Sequence, residues 1–118
     1  MKSHKDLDVW NMSMDLVELV YRHSAAYPKE EIYGLTSQVR RAVVSVPSNI
    51  AEGAARQGNK EFVQFLYIAL GSLAEVETQV MLAKRLRFAE DVNDTLQSIQ
   101  RIRKMLNGLI AHQKRKIN

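Results

Sequence analysis

Cysteine is missing from this 118-residue chain, and with it go disulfide staples, thiolate metal ligation and any cysteine nucleophile. The absence suits a reducing cytoplasm. Proline occurs twice and glycine five times, so few points interrupt regular structure, and between them apolar residues recur at helical spacing. Long apolar runs are also missing. No stretch approaches the ~20 uninterrupted residues of a membrane span, and the opening MKSHKDLDVW sets charges where a signal peptide needs an apolar core. The expectation is a cytoplasmic protein with no membrane partner. Neither alternating strand patterns nor hairpin turns occur, which leaves an all-α chain whose residues 1–118 fit one domain.

Four helical segments follow from the pattern. The first, about residues 8–27, carries Leu7, Trp10, Met14, Val17 and Tyr21 in one row, with Val9, Leu16 and Val20 in a second. Asp6 or Asp8 is placed to cap it, and Pro28 ends it. The second covers about 35–56, with Thr36 as a candidate cap. The third, about 59–87, has the strongest pattern: Phe62, Leu66, Ala69, Leu73, Val76, Val80 and Ala83 keep heptad spacing, which places it at the centre of the core. Gly71 in its middle costs roughly 1 kcal/mol against alanine, so a close helix contact is expected there. The fourth, about 91–112, buries Val92, Leu96, Ile99, Ile102, Leu106, Leu109 and Ile110 and leaves a basic tail over 113–118. Short connections favour antiparallel neighbours, giving an up-down-up-down four-helix bundle. The rows on the first and third helices are wider than one core needs, and that surplus predicts a homo-oligomer.

The stretch RRAVVSVPSNIAEGAAR keeps its helical phase across Pro47. Leu35, Val39, Val43, Val46 and Ile50 form one apolar row, while Gln38, Arg41, Ser45, Ser48 and Glu52 form a polar row beside it. A helix break resets the phase, so this is one helix kinked at Pro47, where the lost hydrogen bond and the clash with the carbonyl of Val43 cost on the order of 3 kcal/mol. Ser45, Ser48 and Asn49 are placed to satisfy the freed carbonyls. The polar row from Gln38 to Glu52, with Asn49 beside it, is either a satisfied seam between helices or subunits or a groove for a partner.

Chemistry has few candidates. A di-metal site in a bundle needs inward Glu-x-x-His pairs, and none occurs. His4, His23 and His112 stand near helix ends without carboxylates at useful spacing, and no glycine-rich phosphate loop or nucleophile elbow is present. Neither an enzyme nor a cofactor or metal is expected. Trp10, Tyr21, Tyr33, Phe62, Phe65 and Tyr67 are able to stack on bases, but helical spacing assigns Trp10 and Phe62 to the core. Charge is uneven: from Lys84 onward nine basic residues face three acidic ones, so this third carries +6 of a net +4 and the remainder −2. Such a segment is either a footprint for an anionic partner such as RNA or a solvated face with a basic tail.

The segments DLDVWNMSMDLVELVY, YPKEEIYGLTSQVRRAVVSVPSNIAEGAAR and KEFVQFLYIALGSLAEVETQVMLAKRL, together covering about Leu7 to Leu86, strongly resemble the four-helix proteins of 23S ribosomal RNA gene intervening sequences. The combination of YGLTSQVRRA, VPSNIAEG and GSLAEVETQ is specific. The resemblance implies a bacterial, cytoplasmic protein encoded in ribosomal RNA genes or elsewhere on the chromosome. It also implies kinship in fold with the accessory variability determinant of diversity-generating retroelements. That relative is a pentameric barrel with a basic surface that associates with reverse transcriptase and nucleic acid, so a homopentamer is the first expectation. The family often has serine where this chain has Gly58, three residues before Glu61, completing a capping box that glycine lacks.

Two functions fit these residues. One is a non-enzymatic scaffold on RNA or DNA, with Arg40, Arg56, Lys60, Arg101, Arg103 and Lys104 touching phosphates by charge alone. The other is a protein-interaction adaptor in which a ring of subunits presents a groove and the positive charge is incidental.

Overall fold

A computed structural model describes residues 1–117. Four helices account for most of them, and no strand occurs among the described residues: α1 (Asp8–Ser24), α2 (Leu35–Ala54), α3 (Asn59–Arg85) and α4 (Asn93–Lys114). Single 3-10 turns at His4–Asp6 and Lys29–Glu31 precede α1 and α2. α1 packs on α2 and α4, and α3 packs on α2 and α4, so the four close a circuit around one core with the α2–α3 contact the most extensive. The particle is elongated, with extents of 49 × 23 × 20 Å.

The core lies where the apolar rows meet. Val39, Val43, Val46 and Ile50 of α2 are sealed from solvent, as are Leu66, Ala69, Leu73, Val76 and Ala83 of α3 and Ile99, Ile102 and Leu106 of α4. An 18-residue window of α3 reaches a mean hydropathy of 1.3, enough by length and composition for a membrane span, but its heptad row is the inner wall of the circuit. That row is buried against α2 and α4, but only 33% of the window is buried, and Ile68, Met81 and Leu82 remain exposed.

α1 departs from the sequence reading. Its inward row is Val9, Ser13, Leu16, Val20 and Ser24, whereas Met14 and Tyr21 of the expected row are 42% and 41% exposed. The buried serines disguise the true phase. Each hydroxyl is satisfied within the helix, Ser13 donating to the Val9 carbonyl at 2.7 Å and Ser24 to that of Tyr21 at 3.3 Å, so burying them leaves no polar atom unpaired.

The helix ends also differ. Capping of α1 by Asp6 or Asp8 does not occur: Ser3 and Asp6 form a capping box around the first 3-10 turn, and Leu7 precedes α1 with no side-chain cap. The same Asp6 carboxylate accepts from the amides of Lys2 and Ser3, which hold it below the ordinary carboxylate pKa. Thr36 does not cap α2, because it is buried one residue inside the helix. The Glu31 carboxylate takes that role from the preceding turn, accepting the Leu35 amide at 3.0 Å.

α1 stops at Ser24 rather than residue 27. Its last amides turn tightly, Ala26 to the His23 carbonyl and Tyr27 to that of Ser24, and Pro28 cannot continue them. Burial of Tyr27 raises its phenol pKa. α3 ends at Arg85 in a Schellman arrangement, Phe88 donating to the Ala83 carbonyl at 2.8 Å and Arg87 to that of Lys84 at 3.0 Å. Arg87 takes the left-handed conformation, φ 64°, a position that favours glycine. α4 begins at Asn93, whose amide the Asp91 carboxylate accepts at 3.0 Å. It continues to Lys114 because Gln113 is buried, so most of the expected tail over 113–118 starts later; its last residue, Asn118, lies outside the described residues.

The glycine contact falls elsewhere than expected. Gly71 faces open space within the chain, whereas a Cβ at Gly53 would sit 2.6 Å from the Phe65 Cβ and 3.3 Å from the Phe62 carbonyl. The AEG portion of the second helix is therefore a point of close approach between α2 and α3.

Candidate nucleic-acid interface

The six cations proposed to meet phosphate divide into engaged and free groups. Arg40 is tied to the end of α1: its Nε donates to the Ser24 hydroxyl at 2.8 Å, its Nη2 to the Tyr21 carbonyl at 3.3 Å, and its guanidinium lies 4.6 Å from the centre of the Tyr21 ring. Arg56 pairs with Glu52 at 2.9 Å, approaches Glu61 at 3.9 Å and stacks over Phe65. Arg103 makes a two-point contact with Glu77 across α3 and α4, at 2.7 and 3.4 Å, and also reaches Gln100. Lys60, Arg101 and Lys104 are exposed, with no ion pair among the described residues. The Arg56–Glu52 pair, four residues apart, is visible in sequence, whereas the Glu77 carboxylate that holds Arg103 comes from another helix and is not.

The polar row divides in the same way. Its middle is an internal bond between α2 and α3: the Ser45 and Ser72 hydroxyls meet at 2.8 Å, and the Asn49 amide donates to the Ser45 hydroxyl and carbonyl, each at 2.8 Å. The Ser48 hydroxyl donates to the Val44 carbonyl at 2.8 Å. These side chains thus satisfy the carbonyls of Val44 and Ser45 rather than that of Val43 opposite Pro47. Glu52 is taken by Arg56. Gln38 and Arg41 remain exposed and, with Glu75, rim a notch between α2 and α3, but Arg41 and Glu75 do not form an ion pair.

Sequence reasoning overlooked a pocket of about 460 Å³ on the other side of Arg41. Tyr21, Arg40 and Arg41 supply its aromatic and cationic wall, Thr36 and Ser37 its hydroxyls, and Ile32 and Val44 its apolar part. Tyr33, next to Ile32, is 95% exposed. Tyr33 does not line the pocket; as an aromatic in the 28–34 turn that belongs to no helical row, it marked only the neighbouring segment. A second, more apolar pocket continues along α1 and α2 past Trp10, Met14, Val17, Val44 and Pro47. Among the described residues, no three His, Asp or Glu side chains converge as metal ligands would.

A four-helix protein, without strands or a metal-type cluster among the described residues and with a cation- and tyrosine-lined surface, is therefore defined. The 23S rRNA-intervening sequence protein family matches residues 5–108, and the chain belongs to that family, which is not a known enzyme family. No match is found among curated proteins.

Proposed function

We propose that this is a non-enzymatic, homo-oligomeric helical-bundle protein that associates with RNA or DNA in the ribosomal RNA context of its family. The observation that carries the reading is the set of exposed cations left over after internal pairing. Lys60, Arg101 and Lys104 have no acidic partner among the described residues, so their charge is available to phosphate.

The helices run up-down-up-down, a reading supported by Ser45 touching Ser72 while Gly53 abuts Phe62 and Phe65: positions rise along α2 as they fall along α3. Pro47, buried inside α2, bends it there, since the residue has no amide for the Val43 carbonyl. Subunits meet through apolar surface that the single chain leaves uncovered, including Met14, Val44, Ile68, Met81 and Leu82, and Gly71 offers a close approach with no same-chain neighbour to fill it. The kinship in fold with the retroelement accessory determinant that the sequence resemblance implies makes a cytoplasmic homopentamer the first choice.

The apolar pocket beside Trp10 and Pro47 supports a second reading, an adaptor that holds a protein partner. Native mass spectrometry of the protein isolated from its host, before and after nuclease, separates the two. Five-fold subunit mass with a nuclease-sensitive adduct is expected. A monomer free of nucleic acid would overturn the proposal, and a defined protein retained after nuclease would favour the adaptor.

A further inference from the structure

We infer that the pocket between the end of α1 and the first turns of α2 binds a single-stranded nucleic-acid segment, seating a base on its tyrosine and arginine surface and the adjoining phosphate on Arg41. This rests on the nucleic-acid reading above but moves the specific contact away from Arg101 and Lys104.

The platform exists before a ligand arrives. Two hydrogen bonds and the Tyr21 ring hold the Arg40 guanidinium flat, and a planar cation so fixed loses little freedom when a base stacks on it. Tyr21 keeps 41% and Tyr33 95% of its surface exposed. In a chain with four tyrosines, leaving one almost wholly in water forgoes the burial that usually makes aromatics stabilising. Tyr21, which lines the pocket beside Arg40 and Arg41, is the part-exposed ring among cations that single-stranded nucleic acid exploits, because every base offers a face to stack.

Charge points the same way. The pocket wall holds two guanidiniums and no carboxylate. The carboxylate of nearby Glu31 is occupied in capping α2, Glu30 is exposed in the adjoining turn, and Glu75 opens on the notch on the far side of Arg41. Arg41 is exposed and unpaired among the described residues, so it is free to meet a phosphate. An acidic peptide would satisfy Arg41 but leave the Tyr21 ring without a role.

The test is fluorescence anisotropy of a labelled short oligouridylate and its thymidylate counterpart on the full chain, with polyglutamate as competitor and a thermal melt of each variant. Tyr21→Ala is expected to weaken binding about 5-fold or more, as loss of one stacked base would, and Tyr21→Phe to retain it. Arg41→Ala should reduce the salt slope by about 1. Both residues are exposed, so melting temperatures should hold. Tight binding of either oligomer with these losses supports the site, and the preferred sugar identifies RNA or DNA. Binding that survives Tyr21→Ala and Arg41→Ala but falls with Arg101→Ala and Lys104→Ala would overturn the pocket while leaving the broader reading standing. Failure of the wild-type protein to bind either oligomer would remove both. Displacement by polyglutamate at equal charge would assign the pocket to an acidic protein segment instead.

Discussion

Replacing Gly53 with alanine tests a close contact between α2 and α3. The new Cβ would lie 2.6 Å from the Phe65 Cβ, 3.0 Å from the Phe62 Cδ1 and 3.3 Å from the Phe62 carbonyl oxygen. The Phe62 ring has a free torsion with which to yield. A Cβ and a carbonyl oxygen are anchored to the α3 backbone, so the helices themselves must separate by nearly 1 Å to restore ordinary van der Waals distance. Overpacking of this kind costs typically about 1–3 kcal/mol. Alanine returns at most about 1 kcal/mol of helix propensity, and less than that one residue from the end of α2. The net loss is therefore about 1–2 kcal/mol, which for a chain of this size lowers Tm by roughly 4–8 °C. Circular dichroism melts at matched protein concentration measure it. Gly108→Ala is the control, since it makes the same chemical change inside α4 with nothing within 4 Å of the new methyl, and it should stabilise by up to about 1 kcal/mol. A Gly53→Ala protein that melts at or above the wild-type temperature would refute the close contact.

Arg87→Gly should stabilise by up to about 1 kcal/mol, because the left-handed turn after α3 strains a residue with a Cβ and suits glycine; urea unfolding with an unchanged slope is the measurement. A double-mutant cycle on Glu77→Gln and Arg103→Ala should give a coupling of about 1 kcal/mol that shrinks with salt, as expected for a two-point ion pair only about a quarter exposed on each side; Arg103→Ala should also weaken nucleic-acid binding less than Lys104→Ala does, since Arg103 is already held. The Asp6 carboxyl has its pKa lowered by backbone amides from an ordinary 3.8. Its support for the capping box is thus complete above that value and is lost as pH falls through the lower, folded one, and the Lys2 and Ser3 amide resonances should report that loss in an acid titration.

The α2 and α3 rows were legible because each is nearly pure: an apolar side chain at every inward turn from Val39 to Ile50 and from Phe62 to Ala83 leaves a single phase. α1 misled because Ser13 and Ser24 occupy inward positions, and a serine that bonds its own helix is as buriable as alanine while reading as polar. Gly71 and Gly53 reversed for a related reason. Propensity identifies a glycine in the middle of a helix as costly, but only the position of Phe65 on another helix shows which glycine is indispensable. The cation candidates were legible as charges and, the Arg56–Glu52 pair aside, not as contacts, since Glu77 and Arg103 are 26 residues apart in the chain and adjacent in the fold.

By itself the sequence determined the helical class, the number of helices and the faces of α2 and α3, because these follow from local periodicity and from the scarcity of proline and glycine. Tertiary structure decided which arginines are free, where two helices nearly touch, and that Tyr21, Ile32, Arg40 and Arg41 gather on one surface. Those features depend on the relative placement of α1, the 28–34 turn and α2, and hence on how the helices pack around a shared core rather than on any pattern within one of them.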